Sequence, residues 1–331
     1  MRLVTYNIEW FSHLFDGDDQ LMLDGRPSRR RGVDRYTQGR AIAHVLDRLD
    51  ADAVMVIEAP NSGHRQKCTR ALENFAAQAG LRCNKAVSGF ATHTEQEIAL
   101  MFDPDQLQVQ VDPQSSSQAP CFDTTFHIDL DVDDREDPVR FSKPPLELQV
   151  TTKGGTTLRM IGVHLKSKAP YNAKTPEEVV RISIANRRKQ LAQAVWLSRR
   201  VQQHRRAAEP VIVMGDLNDG PGLDEYERLF DKSSVEIVMG ADLTDPNAQS
   251  LVQPRAWGQP ATARFYHAES KRYFGALLDY IMISPELAAR APRWRIWHPF
   301  EDGACYADSD LRTALLAASD HFPVSLDLEL T

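Results

Sequence analysis

The stretch Val211–Asp219, VIVMGDLND, decides how this chain is read. Four apolar residues, Val211 to Met214, run without a polar break and stop at Gly215 and Asp216. A run so short and so rich in branched side chains describes a strand buried on both faces, as in α/β layers. The Asp216 carboxylate falls where that strand emerges. Working outward, Arg2–Asn7, Ala53–Glu58, Ile98–Phe102 and Leu158–His164 are further apolar runs of the same kind. Asn7, Glu58 and His164 close three of them as Asp216 closes its own. Asp279–Ser284 (DYIMIS) and His321–Leu330 (HFPVSLDLEL) carry the polar residue at the other end, with Asp279 opening one and Asp320-His321 the other.

Helical stretches separate the strands. Gly39–Leu49 spaces Ile42, Val45, Leu46 and Leu49 by three or four, and Arg65–Ala79 does so with Leu72, Phe75, Ala76 and Ala79. Glu177–Ala207 is the longest, with Thr175-Pro176 before an acidic first turn and basic residues near its end. The pairs Arg199/Arg200 and Arg205/Arg206 are expected on its solvated face. Pro144–Thr152 and Thr157–Val163, joined across Lys153-Gly154-Gly155, form a hairpin, so the sheets are mixed. Phe11–Gln38, Asp112–Asp137 and Gly240–Gly275 are the long connections, of a length that usually carries function or small elements of its own.

Composition narrows the class. With 39 Lys and Arg against 46 Asp and Glu, the 331-residue chain carries a formal charge of −7, and 42% of it is hydrophobic. That excludes a disordered tail, a coiled coil and a collagen-like repeat, and argues against a protein that coats DNA regardless of sequence. Cys68, Cys83, Cys121 and Cys305 make neither a disulfide framework nor a zinc pair, and read as four reduced thiols. The chain opens on a strand, MRLVTYNIEW, without a signal peptide's basic and apolar regions, and no apolar run approaches a membrane span. A cytoplasmic protein without a membrane segment or an obligate protein partner is expected.

If the strands ending in Asn7, Glu58, His164 and Asp216 run antiparallel to those opened by Asp279 and Asp320-His321, all seven groups meet on one edge of the core. Such a cluster suits hydrolysis at phosphorus. Mg²⁺ or Mn²⁺ takes oxygen ligands, and Glu58, a lone acid ending Val54–Ile57, is the best of them. A histidine beside a second carboxylate can activate water, and Asn7, Asn218 and His164 can donate hydrogen bonds to the oxyanion. No nucleophile elbow, phosphate-binding P-loop or H-E-x-x-H helix competes. Asp16-Gly17-Asp18-Asp19 lacks the ligand spacing of a calcium loop and reads as an exposed acidic turn.

TYNIEWF, VIEAPN, GVHLKSK, VMGDLND, LLDYIMIS and ASDHFPV stand in the order and spacing of the endonuclease/exonuclease/phosphatase superfamily, DNase I-like enzymes, which the chain resembles from Leu3 to Val324, with HLKSK similar to its bacterial nuclease branch. The resemblance implies a single domain, residues 1–331, folded as a four-layer α/β sandwich: two mixed sheets face to face with helices outside. It implies Glu58 as the principal metal ligand, with Asn7, Glu9 and Asp320 beside the metal. Asp216 and Asn218 match the family's G-D-x-N pair, His164 the histidine near the scissile phosphate, and Asp279 the partner of the catalytic His321. Either Asp216 or the His321–Asp279 pair could serve as the base. Ile57 stands where the family often has glutamine, Ala59-Pro60 replaces the usual aliphatic residue, and Val163 replaces an asparagine. Lys166 and Lys168 are candidate substrate contacts, against the alternative of a solvated loop. For Arg26, Arg29, Arg30, Arg31 and Arg35, a solvated loop is favoured over an arm for a polyanion.

The function expected is metal-dependent phosphodiester hydrolysis with nucleic acid as substrate, by an endonuclease or exonuclease in which a His–Asp pair activates water. The alternative is a phosphatase or phosphodiesterase of a small or lipid-linked phosphate, such as an inositol phosphate, a nucleotide or sphingomyelin. A silent binding protein has no physical need to keep Glu58, Asp216, Asp279 and His321 together.

Overall fold

A computed structural model describes residues 1–92, 95–129, 135–220, 232–252, 260–267 and 270–330. The first part of the chain runs β1 (Arg2–Asn7), α1 (Arg35–Leu49), β2 (Ala53–Ala59), α2 (Cys68–Ala79), β3 (Lys85–Ser88), β4 (Glu97–Phe102) and β5 (Leu107–Val111). The middle comprises β6 (Phe126–Ile128), β7 (Asp137–Val139), β8 (Leu146–Thr152), β9 (Thr157–His164), α3 (Pro176–Arg206) and β10 (Val211–Asp216). Then follow α4 (Ser234–Met239), α5 (Pro246–Val252), β11 (Ala263–His267), β12 (Arg272–Ala276) and β13 (Asp279–Ile283). The chain closes with α6 (Pro285–Ala288), β14 (Arg293–Ile296), α7 (Gly303–Ala307), α8 (Ser309–Ala318) and β15 (Val324–Asp327). No helix among the described residues is long and apolar enough to cross a membrane.

Two large sheets form the centre, in the orders β14-β15-β1-β2-β4-β3 and β13-β10-β9-β8-β5. The pairs β1–β2 and β9–β10 are parallel and the other neighbours antiparallel, so both sheets are mixed as expected. The apolar runs are continuous because both of their faces are covered. Along β2, Ala53, Met55 and Ile57 point between the sheets, whereas Val54 and Val56 point at α1, α2 and α8. Along β10, Ile212 and Met214 join the layer between the sheets, and Val211 and Val213 pack against α3 and α4. These layers are the four of the expected sandwich, and the fold is DNase I-like.

Register places the polar ends. Asp216 lies opposite His164 on β9 and opposite Asp279 on β13, so three functional groups share one row across the second sheet. On the facing sheet, β1 and β2 end side by side with Asn7 opposite Ile57, next to Glu58.

Several local expectations are corrected. The last strand spans only Val324–Asp327, and His321 instead makes an isolated bridge to Ala263. Arg200 is fully buried, ion-paired to Glu147 at 3.2 Å, and donates to the carbonyls of Ala119 and Pro120. Neighbours on a helix point about 100° apart, so Arg199 faces out while Arg200 faces β8. Asp19 is also buried, because it accepts the Lys67 backbone N–H and pairs with Arg70 at 2.6 Å. The long connections hold structure: Phe11–Leu14 is a 3₁₀ turn, and the third connection contains α5 and β11. Parts of the second and third connections, 130–134, 253–259 and 268–269, lie outside the described residues.

Two glycines set close approaches. A Cβ on Gly215, whose φ is +140°, would lie 2.0 Å from the Val163 carbonyl oxygen on β9. One on Gly162 would lie 2.4 Å from the Met55 sulfur of the opposite sheet. A thioether can swing aside and a paired backbone cannot. Urea unfolding of Gly215→Ala should therefore show a loss of about 3 kcal/mol or more, against roughly 1 kcal/mol for Gly162→Ala. Equal losses would contradict this account of the strand edge.

Candidate active site

The strand ends open into a cleft of about 960 Å³ between the two sheets, lined by Asn7, Glu9, Glu58, His164, Asp216, Asn218, Asp320 and His321. Asp279 sits behind them, almost fully buried. Asp216 is the centre. Its Oδ2 accepts from Asn7 Nδ2 (3.0 Å) and Asn218 Nδ2 (3.3 Å), and its Oδ1 from the Asn218 backbone N–H (2.7 Å). Asn218 adopts a left-handed φ of 50°, which turns the chain back so that both its amides reach one carboxylate. Burial pushes the Asp216 carboxyl up to about 7, with the Asp279 charge adding to it.

The two histidines differ in charge. His321 is buried, and burial alone would favour its neutral form. The Asp279 carboxylate, 2.8 Å from Nδ1, and the charges of Asp216 and Asp320 overcome this and hold it well above its ordinary value. His164 is held well below its own, by burial and then by the charges of Lys143, His321 and Lys166. The Lys143 ammonium donates to its Nδ1 at 3.3 Å, which leaves the proton of the neutral ring on Nε2, 3.7 Å from Asp216.

Glu58 occupies a β-bulge between Ile57 and Ala59, with a left-handed φ of 63°. Its Oε2 accepts from the Trp10 backbone N–H (3.2 Å) and from Gln96 Nε2, while Oε1 accepts no hydrogen bond among the described residues. Gln96 is itself held at a positive φ of 78°, and its Oε1 accepts from Lys143 (2.8 Å). Gln96 and Lys143 were not legible in the sequence: one precedes a strand and the other lies in a proline-rich approach to β8. Ser319 is a third such residue. Buried, it accepts from the N–H groups of Glu9 (3.0 Å) and His321 (3.1 Å) and donates to the Asn7 carbonyl (2.8 Å), tying β1 to the His321 loop.

The residues expected around a metal fit a cation. Asn7 Oδ1 is buried with no hydrogen-bond partner among the described residues. The Glu9 carboxyl is raised to about 7 by burial and then by Asp320, and Glu58 is raised by burial with Asp320 adding to it. Like charges crowded in this way are relieved by a hard cation. Glu9 is less available, since Arg30 pairs with it. Among the described residues, three acidic or imidazole ligand atoms lie within 4.8 Å of one another at Asp216, Asp279 and His321, not around Glu58.

Lys166 lines the cleft. Lys168 also lines it, but its ammonium pairs with the buried Asp219 at 2.7 Å, beside Arg187. The arginine loop folds back on the site and is not a free arm. Arg26 and Arg35 pair with Asp24, Arg30 with Glu9, and the Arg29 guanidinium stacks 4.7 Å from the Trp10 ring.

Solved structures of the same shape include an endonuclease/exonuclease/phosphatase family protein from Bacteroides thetaiotaomicron (13% identity, TM-score 0.52, covering 100% of this chain and 98% of that one). A mannosyl-6-phosphatase from the same organism matches with 13% identity, TM-score 0.52 and 100% of both chains. An AP endonuclease from Archaeoglobus fulgidus matches with 12% identity, TM-score 0.50 and 100% of both chains. At such identities these likenesses concern the fold alone. Among curated proteins none matches the chain. The model of the Endonuclease/Exonuclease/phosphatase family, whose enzymes generally use divalent metals, matches residues 4–321, from the first strand to the histidine of the cleft. With nearly its whole length matched and the polar ends of β1, β2, β9 and β10 gathered with His321 in one cleft, the chain belongs to the Endonuclease/Exonuclease/phosphatase family and is a phosphoric ester hydrolase.

Proposed function

We propose that this protein is a Mg²⁺- or Mn²⁺-dependent phosphodiesterase that cleaves nucleic acid, as an endonuclease or exonuclease. The observation that carries the reading is the row His164–Asp216–Asp279 at one sheet edge, facing Asn7 and Glu58 across the cleft. Glu58, through Oε1, with Asn7 Oδ1 and Asp320, and Glu9 behind them, would hold the cation. When bound, it polarises a phosphoryl oxygen as a Lewis acid.

The chain's own groups divide the remaining work. Asp216, poised near neutrality and fixed by Asn7 and Asn218, accepts the proton of the attacking water. His321, kept charged by Asp279, is a poor proton acceptor at neutral pH, so of the two alternatives for the base this geometry favours Asp216. The His321 imidazolium and the Nε2–H of neutral His164 donate to the phosphoryl oxygens as negative charge builds on them. Lys166, on the cleft wall, serves the phosphates that flank the reacting one, while Lys168 is held by Asp219. The four cysteines, all unpaired and three of them buried, suit a reducing compartment such as the cytoplasm.

Glu58→Gln should lower turnover of a phosphodiester by on the order of 10²-fold or more and weaken Mn²⁺ binding measured by calorimetry, with the melting curve preserved. Wild-type turnover in that variant would refute the metal assignment. A panel of single- and double-stranded DNA, RNA, abasic DNA, inositol phosphates, sphingomyelin and nucleotides tests the substrate. Turnover confined to the small or lipid-linked phosphates would overturn the nuclease reading. Asp279→Asn removes the charge that lifts His321, so burial should then dominate and the imidazole titration followed by NMR should move down by more than about one pH unit. An unmoved titration would show that Asp279 does not set the charge of His321.

A further inference from the structure

Arg29, Arg30 and Arg31 follow one another in the connection between β1 and α1. The chain folds back on itself there: the Arg35 N–H donates to the Arg26 carbonyl (3.0 Å), and Ser28 donates to the Val33 carbonyl through its N–H (3.0 Å) and its hydroxyl (2.9 Å). Arg29 lies 4.7 Å from the Trp10 ring and Arg31 3.6 Å from the Tyr266 ring, so the loop is pinned on either side of Arg30. Arg30 itself turns inward. Its Nε and Nη2 donate to the Leu316 carbonyl (3.1 and 2.6 Å), one of those that the end of α8 leaves without a helical partner, and its Nη1 donates to Glu9 Oε2. The two side chains are only 15% and 19% exposed, where an ion pair is screened less than at the surface. Glu9 is no freer to turn, since its N–H donates to Ser319 Oγ (3.0 Å) and its carbonyl accepts from Gln38 Nε2 (2.8 Å).

We infer that Arg30 takes the place of a second metal ion: its guanidinium holds the Glu9 carboxylate, so that the cleft takes one divalent cation, at Glu58, Asn7 and Asp320, and not two. This rests on the metal reading above and narrows it, with Glu9 supporting the site without giving an oxygen to the cation. The other acids of the site point the same way. Asp216 is engaged by the amides of Asn7 and Asn218, and Asp279 by His321. That leaves Glu58 through Oε1, Asp320, and the buried Oδ1 of Asn7. Mg²⁺ binds through one or two carboxylates with waters and substrate phosphate completing its shell, so this set suits a single ion. A pair of ions about 3.5–4 Å apart carries four positive charges and needs a further acid, which here is Glu9. A guanidinium stays charged throughout the physiological pH range and cannot dissociate from the chain, so Arg30 balances Glu9 whatever the supply of metal. Arg30 is a positioning residue in this arrangement and does not itself line the cleft.

The test counts Mn²⁺ on the full-length protein by calorimetry and reads its EPR spectrum, with no substrate present. Wild type should take one Mn²⁺ per chain and show the hyperfine pattern of an isolated ion. Arg30→Met frees Glu9 and should take a second ion, with the spectrum of an exchange-coupled pair. Combining it with Glu9→Gln should return the count to one. Glu9→Gln alone leaves the guanidinium unpaired beside the cation and should weaken Mn²⁺ binding by about 10-fold or more. Adding Arg30→Met should bring the Kd back to within about threefold of wild type, because the pair is then removed as a neutral unit. Should Arg30→Met not fold, Arg30→Gln, whose amide keeps a donor for the Leu316 carbonyl, carries the same expectations. Two ions in wild type, a single ion in the folded Arg30 variant, or a double variant that binds as weakly as Glu9→Gln overturns the inference and leaves the metal site at Glu58 standing. Mn²⁺ binding untouched by Glu58→Gln instead overturns the metal reading, and the inference with it.

Discussion

A carboxylate buried in the seam between two sheets is the constraint on which this molecule turns. Asp216 is almost wholly removed from water, and its nearest charged neighbour on the same sheet row is another buried acid, Asp279. Two unpaired carboxylates in that position would be costly. The surroundings answer with amide donors from Asn7 and Asn218 on one side and the His321 imidazolium, clasped to Asp279, on the other. Each compensating group comes from a different element. The parallel pairing of β9 with β10, the antiparallel pairing of β10 with β13 and the face-to-face approach of β1 must all be correct before the charge is tolerated.

Backbone strain gathers around the same edge. Glu58, Gln96 and Asn218 adopt left-handed conformations without being glycine, and Gly215 presses against the backbone of β9. Left-handed backbone costs a non-glycine residue roughly 1–2 kcal/mol, and the packed layers on both sides hold it in place. The return is directional. The bulge at Glu58 turns its carboxylate into the cleft, where a regular strand would send it towards the α1–α2 layer with Val54 and Val56.

Charge in the cleft is arranged more finely than the net value of −7 suggests. Glu9, Glu58, Asp216 and Asp320 crowd one end, while Lys143, Arg30 and His321 reach into the crowd from three different loops. Lys143 links three parts of the site. It faces Glu58, bonds the Gln96 side chain that braces Glu58, and fixes the tautomer of His164. A cation and an anionic phosphate can then meet in a site whose acids are already partly balanced, which lowers the electrostatic cost of bringing them together.

The amino-acid sequence alone determined the buried strands, the mixed sheets and the polar residues at their ends, because a strand covered on both faces must be apolar until it emerges. Asn7, Glu58, His164, Asp216, Asp279, Asp320 and His321 could be named from that rule and Asn218 as an amide donor beside Asp216, and family likeness added Glu9 and the pairing of His321 with Asp279. Tertiary structure alone decided which of these groups touch and in what charge state. Gln96, Lys143 and Ser319 sit in loops with no periodic signal, and only the closing of the two sheets brings them against Glu58, His164 and Asn7. The inward turn of Arg200 and the pairing of Lys168 with Asp219 escaped the sequence for the same reason. A charged side chain reads as solvated until its partner, distant in the chain, is seen beside it.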